Sequence, residues 1–316
     1  MDYLLIIAGF VLLTGGANFL INGATGLAAK FNISNLVIGL TVVAFGTSAP
    51  ELVVNVVAAI EGSNEIALTN VLGSNSINTF VILGMSALFY PLLAQRSTIR
   101  VEIPLSLFAA VAVLVLGSGM FLSPVKGLSR LDGVFLLLCF TLFIIYIFYL
   151  GRKGKAPVAD ENYKPMGIAK AVSLVVGGLA CLAIGAEMIV RSAVNLAVSW
   201  GVSQAVVGVT IVALGTSLPE LATSVAAAYK KSSDIAVGNI IGSNIFNVFL
   251  VLGVSAVIRP LPMYPNLVAD AAVAASGSLL VLFFAVLGKK HTLKRIHGII
   301  LLAVYAAYLA WIIGTL

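Results

Sequence analysis

VAFGTSAPEL, at residues 43–52, recurs as VALGTSLPEL at residues 212–221, and this repeated stretch decides how the chain is built. The similarity extends outward from the motif in both directions. Residues 34–92 align with residues 203–261 at a constant offset of 169 without a gap, and 30 of the 59 paired positions are identical. The chain therefore contains one structural unit twice, and a functional site between the two units would draw on both.

The composition is that of a membrane protein. Hydrophobic residues make up 60% of the chain and charged residues 9%, whereas an ordinary globular chain has roughly 25% charged residues. Apolar stretches of 20 or more residues recur along the chain, and each can cross a hydrocarbon core of about 30 Å. Each copy of the repeat places one carboxylate, Glu51 or Glu220, in such a stretch. A carboxylate at that depth costs about 2.5 kcal/mol or more, so it marks an ion or substrate pathway.

We predict an all-α membrane protein, because only helices and closed barrels satisfy their backbone within a bilayer and these apolar runs are too long for barrel strands. The predicted architecture is ten transmembrane helices in two inverted five-helix repeats. The first repeat covers residues 1–151, a cytoplasmic linker residues 152–166, and the second repeat residues 167–316. The ten spans are expected near residues 3–28, 34–60, 65–90, 101–122, 130–150, 167–190, 203–229, 234–258, 267–287 and 295–315.

Basic residues are divided unequally between the two sides of the predicted membrane. Of the 18 lysines and arginines, fourteen fall on one side and three on the other, with Arg191 in or at the end of the sixth span. The rich side is cytoplasmic by the positive-inside rule, so both termini lie outside. Because each half has an odd number of spans, the second copy enters the membrane upside down, as in many secondary transporters. The fourteen are Lys30, Arg96, Arg100, Arg152, Lys153, Lys155, Lys164, Lys170, Lys230, Lys231, Lys289, Lys290, Lys294 and Arg295; the three are Lys126, Arg130 and Arg259.

The motif G-T-S-x-P-E predicts a broken helix in each copy. Pro50 has no N–H, so the carbonyl of Gly46 loses its helical donor, and Pro219 has the same effect on Gly215. Glycine adds backbone freedom at the break. A proline kink relieved by local Ser or Thr hydrogen bonds is the alternative, but a kink needs no carboxylate. Exposed carbonyls, one carboxylate and nearby hydroxyls form a cluster of hard oxygens of the kind that calcium and sodium bind; the hydroxyls are those of Thr47, Ser48, Thr216 and Ser217.

A second repeated motif, N-x-x-G-S-N-x-x-N, follows at residues 70–78 and 239–247. Its polar side chains recur every four residues and therefore share one helix face. Hydrogen bonding between membrane helices is an alternative role for such residues, but their repetition at a fixed distance from each glutamate favours a binding site. No His or Cys accompanies the glutamates, which argues against a zinc or copper site. The two stripes are Asn70, Ser74 and Asn78, and Asn239, Ser243 and Asn247.

With G-T-S-x-P-E and G-S-N-x-x-N each present twice, the chain resembles the calcium/cation antiporter superfamily, and most closely its prokaryotic Na⁺/Ca²⁺ exchanger branch. The resemblance implies transport of Ca²⁺ and Na⁺ across the prokaryotic inner membrane, with the first and sixth spans sliding across the rest of the molecule. Glycines at Gly15, Gly16, Gly177 and Gly178 fit a smooth sliding surface. The implied ion ligands are Glu51, Glu220, Thr47, Ser48, Thr216, Ser217, Ser74, Asn78, Ser243 and Asn247, with backbone carbonyls of Ala44, Thr47, Ala213 and Thr216.

Asn247 bears on the coupling ion. Some relatives, including potassium-dependent exchangers, resemble this chain but carry Asp at this position, and proton-coupled relatives usually carry acidic or His groups in the second motif. Sodium coupling is therefore expected, with Ca²⁺ extruded. A Ca²⁺/H⁺ antiporter and a passive cation channel are the alternatives. An enzyme is not expected, because no nucleophile–base arrangement accompanies the carboxylates. We expect no cofactor and no nucleic-acid partner; the expected partners are the two ions and membrane lipids, and a monomer would hold the complete site.

Overall fold

Long apolar runs form long helices, because the bilayer offers no water to satisfy the backbone. The computed structural model describes residues 1–62, 64–119, 126–153, 166–202, 211, 213–288 and 291–315. Its α-helices are α1 Asp2–Phe31, α2 Asn35–Ile38, α3 Ala44–Thr47, α4 Ala49–Glu61, α5 Asn64–Ser76, α6 Leu83–Phe89, α7 Ile103–Gly117, α8 Arg130–Lys153, α9 Ile168–Ser199, α10 Ala213–Thr216, α11 Leu218–Tyr229, α12 Ser233–Phe246, α13 Gly253–Ile258, α14 Leu267–Leu287 and α15 Arg295–Thr315. Between them lie the π-helical segments π1 Gly39–Val43, π2 Ile77–Ile82, π3 Thr98–Glu102 and π4 Asn247–Leu252.

The predicted all-α fold with long apolar helices is confirmed. Among the described residues, eight helical stretches are long and apolar enough to cross a membrane, and the bent pair Asn35–Thr47 and Ala49–Glu61 makes a ninth, with a bend of 45°. These correspond to nine of the ten predicted spans. The remaining predicted span, 203–229, begins in residues that lie outside the description, and α10 and α11 are its described part.

Some predicted boundaries were wrong. Helix α9 continues to Ser199, beyond the predicted end at residue 190. Helix α8 continues to Lys153, beyond the predicted end of the fifth span at residue 150, because Arg152 and Lys153 are good helix formers. The fourth span ends at Gly117 instead of residue 122, since Gly119, with φ of 74°, takes the left-handed conformation that stops a helix. Most of the predicted linker, residues 154–165, lies outside the description.

Two short antiparallel ladders, which the helical periodicity did not predict, join the two halves of the chain. Leu92–Leu93 (β1) pairs with Thr292–Leu293 (β4), with Leu92 opposite Leu293. Gly127–Leu128 (β2) pairs with Leu261–Pro262 (β3), with Leu128 opposite Leu261. Each ladder therefore connects the end of one central span to the start of a span in the other half.

Helices α1 and α9 pack against each other with their backbones in close contact. An added Cβ at Gly16 would lie 2.8 Å from the carbonyl oxygen of Gly178, and one at Gly178 would lie 2.6 Å from the amide nitrogen of Leu20. Small residues allow such approach between membrane helices. By contrast, a Cβ at Gly15 or Gly177 would meet no described atom within 4 Å. Of the four glycines expected on a sliding surface, Gly16 and Gly178 therefore join α1 to α9.

Candidate cation site

Both broken helices break at the serine of their G-T-S-x-P-E motif. Ser48, with φ −84° and ψ 3°, separates α3 from α4, and Ser217, with φ −88° and ψ 2°, separates α10 from α11. In both helices the proline lies in the first turn after the break, where its missing N–H costs nothing. The sequence prediction of a break in each copy is confirmed, and each glutamate sits in the first turn of the second segment.

The glycine of each motif serves packing against α9. An added Cβ at Gly46 would lie 2.7 Å from the Leu179 side chain, and one at Gly215 would lie 2.4 Å from the Val190 side chain. Neither glycine has positive φ, so backbone freedom, the role predicted from sequence, is not what the conformation requires. A larger residue at either position would push α9 away from the break.

The two carboxylates are buried and differ in their hydrogen bonds. Glu51 is 1% exposed and Glu220 fully buried. The hydroxyl of Ser48 donates to Oε1 of Glu220 at 3.0 Å, and Ser243 donates to the same atom at 3.4 Å. In the described part of the chain, no group donates to either carboxylate oxygen of Glu51 or to Oε2 of Glu220. Three buried carboxyl oxygens are thus available to a cation.

The threonines of the first motif reach across to the asparagines of the opposite copy. The Thr47 hydroxyl lies 3.1 Å from Oδ1 of Asn239, and the Thr216 hydroxyl lies 3.5 Å from Oδ1 of Asn70. Thr216 is also 3.5 Å from the Ser74 hydroxyl. Since positions 47 and 216, and 70 and 239, are equivalent at the offset of 169, the same contact occurs twice with the halves exchanged.

Four buried asparagines connect the second motifs in two pairs. The Asn78 amide donates to Oδ1 of Asn244, and the Asn247 amide donates to Oδ1 of Asn75, each at 3.1 Å. Asn244 in turn donates to the Thr79 hydroxyl at 2.8 Å. Because the amide nitrogens of Asn78 and Asn247 point to their neighbours, their Oδ1 atoms point elsewhere. Both Oδ1 atoms are buried and accept no hydrogen bond from the described residues.

The remaining predicted ligands are placed as follows. The Ser217 hydroxyl is buried without a hydrogen-bond partner in the described chain. The Ala44 carbonyl accepts the amide of Ser48 at 3.0 Å and lies 3.4 Å from the Thr47 hydroxyl, so it is engaged within its own helix. Ala213 begins α10. The structure therefore brings together glutamates, hydroxyls and amides from both copies.

Asn75 and Asn244 are not among the site residues predicted from the sequence. Their signal was present, since both are asparagine at equivalent positions of the two copies. What periodicity could not supply was their pairing with Asn247 and Asn78, because that pairing depends on how the two copies cross.

The chemistry of this cluster is that of a hard-cation site. Its available atoms are carboxylate, amide and hydroxyl oxygens, which suit sodium and calcium and do not suit soft metals. Among the described residues, no group of three or more His, Cys, Asp and Glu side chains comes together. Neutral oxygens must therefore supply most ligands, and two ionised glutamates would give the site a charge of −2.

A cavity of about 860 Å³ lies beside the site, between α9 and the broken helix of the first copy. Pro50 and Thr216 are in its wall, so it reaches the break regions of both copies. At its side, Glu187 forms an ion pair with Arg191, one helical turn further along α9. The rest of the wall is mainly apolar and includes Val42, Phe45, Val53, Leu179, Leu182 and Val190.

Comparison with known proteins gives consistent matches over nearly the whole chain. A model of the family described as sodium/calcium exchanger protein matches residues 1–149 and 170–314. The sodium/calcium exchanger MaX1 of Methanosarcina acetivorans is 33% identical, with 98% of this chain and 97% of that protein covered. The putative antiporter CaxA of Alkalimonas amylolytica is 38% identical, with 96% of each chain covered.

Solved structures agree. The sodium-calcium exchanger NCX_Mj, soaked with Na⁺ and without Ca²⁺, superposes with a TM-score of 0.83 at 33% identity, covering 98% of each chain. A further relative in sequence, the inner membrane protein YrbG of Escherichia coli, is 38% identical, with 81% of this chain and 79% of that protein covered.

Proposed function

The chain belongs to the sodium/calcium exchanger protein family, and we propose that it is a secondary antiporter in which Na⁺ entering the cell drives Ca²⁺ out by alternating access. The observation that carries this proposal is the set of buried acceptor oxygens without hydrogen-bond partners among the described residues. Leaving such a group unsatisfied costs about 1–3 kcal/mol. A bound cation would remove that cost at several atoms together; these belong to Glu51, Glu220, Asn78, Asn247 and Ser217.

The ligand set proposed for the ions is the one expected from sequence, and two further residues are proposed to orient it. Glu51 and Glu220 supply charge, and the amide oxygens of Asn78 and Asn247 supply neutral ligands. The further neutral ligands are the hydroxyls of Thr47, Ser48, Thr216, Ser217, Ser74 and Ser243 and the carbonyls of Ala44, Thr47, Ala213 and Thr216. Asn75 and Asn244 hold the ligand amides in orientation.

The proposed architecture is ten spans, with the second five inverted relative to the first. The unequal distribution of basic residues supports this, since it places the linker in the cytoplasm and both termini outside the inner membrane. The contacts Thr47–Asn239 and Thr216–Asn70 repeat with the halves exchanged, as is expected where two inverted copies meet at one interface. A site at such an interface can open to either side in turn.

The charge of the site bears on stoichiometry. One Ca²⁺ or two Na⁺ neutralise two glutamates, and a third Na⁺ would leave one positive charge. Moving one charge across the membrane is worth about 2.3 kcal/mol per 100 mV, so three-for-one exchange would be driven partly by voltage and two-for-one exchange would not.

The test is Ca²⁺ uptake into inside-out vesicles. Radioactive Ca²⁺ should enter only when the vesicles are loaded with Na⁺, and Glu51→Gln or Glu220→Gln should abolish uptake. Glu102→Gln is the matched control, because Glu102 is also buried but hydrogen-bonds Tyr146 outside the repeated motifs. Uptake driven by a pH gradient and indifferent to Na⁺ would instead establish a Ca²⁺/H⁺ antiporter. Flux without any counter-ion dependence would indicate a channel.

A further inference from the structure

The contacts within the candidate site occur twice, with the two copies exchanged. The long helices α1 and α9 do not share this equivalence. Helix α1 packs along α11. The equivalent elements of the other copy, α9 and α4, are separated by the large cavity. One face of the helix pair α1–α9 is therefore closed against the core and the other is open.

A polar contact marks the closed face. Nζ of Lys230, at the end of α11, donates to Oδ1 of Asn22 on α1 at 2.9 Å. The repeat offset of 169 carries Asn22 to Arg191 on α9 and carries Glu61, the last residue of α4, to Lys230. The counterpart of the observed contact is therefore a pairing of Arg191 with Glu61, two residues of opposite charge.

In the structure this counterpart is not made. Arg191 instead pairs with Glu187 on its own helix. Glu187 lies in the wall of the cavity, and Arg191 directly follows the wall residue Val190. Glu61 is exposed and has no ion-pair partner within the described chain. Glu61 can therefore pair with Arg191 if closure of the cavity brings the two side chains together.

We propose that Arg191 is a positioning residue that exchanges Glu187 for Glu61 when the cavity closes, while the Lys230–Asn22 contact on the opposite face breaks. The two contacts form a pair of alternating latches, one ionic and one between an amine and an amide. This rests on the proposed alternating access. The latches hold the helix pair at each end of its movement, and neither touches the ions.

Cysteine cross-linking tests the exclusivity of the latches. In a background with both native cysteines, Cys139 and Cys181, changed to alanine, one pair is Asn22→Cys with Lys230→Cys, and the other is Glu61→Cys with Arg191→Cys. A short bis-methanethiosulfonate reagent should cross-link each pair and inhibit Na⁺-dependent Ca²⁺ uptake at least tenfold. Reduction of the cross-link should restore uptake. In the protein carrying all four cysteines, mass spectrometry should find either cross-link in a molecule but never both. Asn22→Cys with Glu61→Cys is the background control, since these residues lie on opposite faces.

Charge variants separate a switching role from a static ion pair. Glu61→Gln should lower turnover by about two- to fivefold, the range that an exposed ion pair supports, and so should Arg191→Gln. The exchanged pair Glu61→Arg with Arg191→Glu should restore turnover. If Glu187 were the only functional partner of Arg191, Glu187→Gln would reproduce the loss and Glu61→Gln would have no effect.

Failure of this proposal is distinguishable from failure of the proposed function. The latch proposal would be overturned by both cross-links in one molecule. It would also be overturned if Glu61→Cys with Arg191→Cys never cross-links in a protein that transports Ca²⁺. Either result would leave the exchange function established. An unmodified chain without Na⁺-driven Ca²⁺ uptake would overturn the exchange function, whatever the cross-linking pattern.

Discussion

At the scale of residues, the asparagines show how neutral groups would be oriented as the proposed ion ligands. A primary amide has two donors and one acceptor oxygen. Asn78 and Asn247 donate to the amide oxygens of Asn244 and Asn75, and these bonds fix the direction of their own oxygens. Orientation by an outer partner is a general way of preparing a ligand before the ion arrives. The outer asparagines therefore matter to binding although they need not touch an ion.

Removing an orienting amide should weaken Ca²⁺ binding. Asn244→Ala deletes the acceptor of Asn78 and should raise the Ca²⁺ KM about tenfold, equivalent to about 1.4 kcal/mol, because outer partners of ligands typically contribute ten- to a hundredfold. The measurement is the Ca²⁺ dependence of uptake at fixed Na⁺. Ser255→Ala, which removes a buried hydroxyl bonded to its own helix, is the control. An unchanged KM in Asn244→Ala would show that Asn78 needs no orienting partner.

Ligand binding should also appear as stability. A ligand present at about 100 times its Kd stabilises the folded state by about 2.7 kcal/mol, so saturating Ca²⁺ should raise the Tm of the purified protein in detergent. Chelation of Ca²⁺ should reverse the shift. Glu51→Gln removes one of the two site charges and should abolish it, while Glu102→Gln should retain it. A full Ca²⁺ shift in Glu51→Gln would place the binding ion elsewhere.

The duplication marks the glutamates and the stripe residues twice, which is why the sequence predicts them as ligands. Which of their oxygens are free depends on contacts between the copies, and no sequence pattern gives those contacts. The Ala44 carbonyl illustrates the limit, because it accepts the Ser48 amide within the helix. A carbonyl oxygen has two lone pairs, so Ala44 keeps only one for an ion, and hydrogen-bond geometry rather than residue type shows this.

At the scale of elements, the positions and apolar character of nine spans were predictable because hydropathy determines them, and the breaks were predictable because proline lacks a donor. The short ladders and the roles of glycines were not. A glycine on a helix has the same sequence signature whether it faces lipid or another backbone. Gly15 and Gly16 are neighbours in sequence, yet only Gly16 lies at the contact between α1 and α9.

That difference predicts opposite responses to the same substitution. Gly16→Val should push α1 away from α9 and lower the free energy of unfolding by about 1–3 kcal/mol, as overpacking does. Gly178→Val should have the same effect. Gly15→Val and Gly177→Val should change stability little, because a Cβ there has no described neighbour within 4 Å. Thermal unfolding monitored by size-exclusion chromatography compares the four variants. Equal losses at Gly15 and Gly16 would contradict the observed contact.

At the scale of the whole molecule, the two copies repeat their contacts with the halves exchanged, in the ladders, the threonine–asparagine contacts and the asparagine pairs. Exchange of halves is the arrangement that an inverted duplication produces. The exposed charges carry independent information about orientation, because selection of membrane topology acts on loop lysines and arginines and not on the buried site. The two kinds of observation can therefore be tested against each other.

Single-cysteine labelling provides that test. In the background without native cysteines, Lys126→Cys and Arg259→Cys should react with a membrane-impermeant thiol reagent applied to intact cells. Lys30→Cys and Lys231→Cys should react only in inside-out vesicles.

Arg259 follows α13 of the second half, whereas Lys231 follows α11, so their assignment to opposite faces requires that α12 and α13 together cross the membrane once. Residue 90 is equivalent to Arg259 at the offset of 169, so inversion requires Tyr90→Cys to label from the cytoplasmic side. Labelling of residues 90 and 259 from the same side would mean that the two copies are parallel. The proposal that one site between inverted copies opens to each side of the membrane in turn would then lose its structural support.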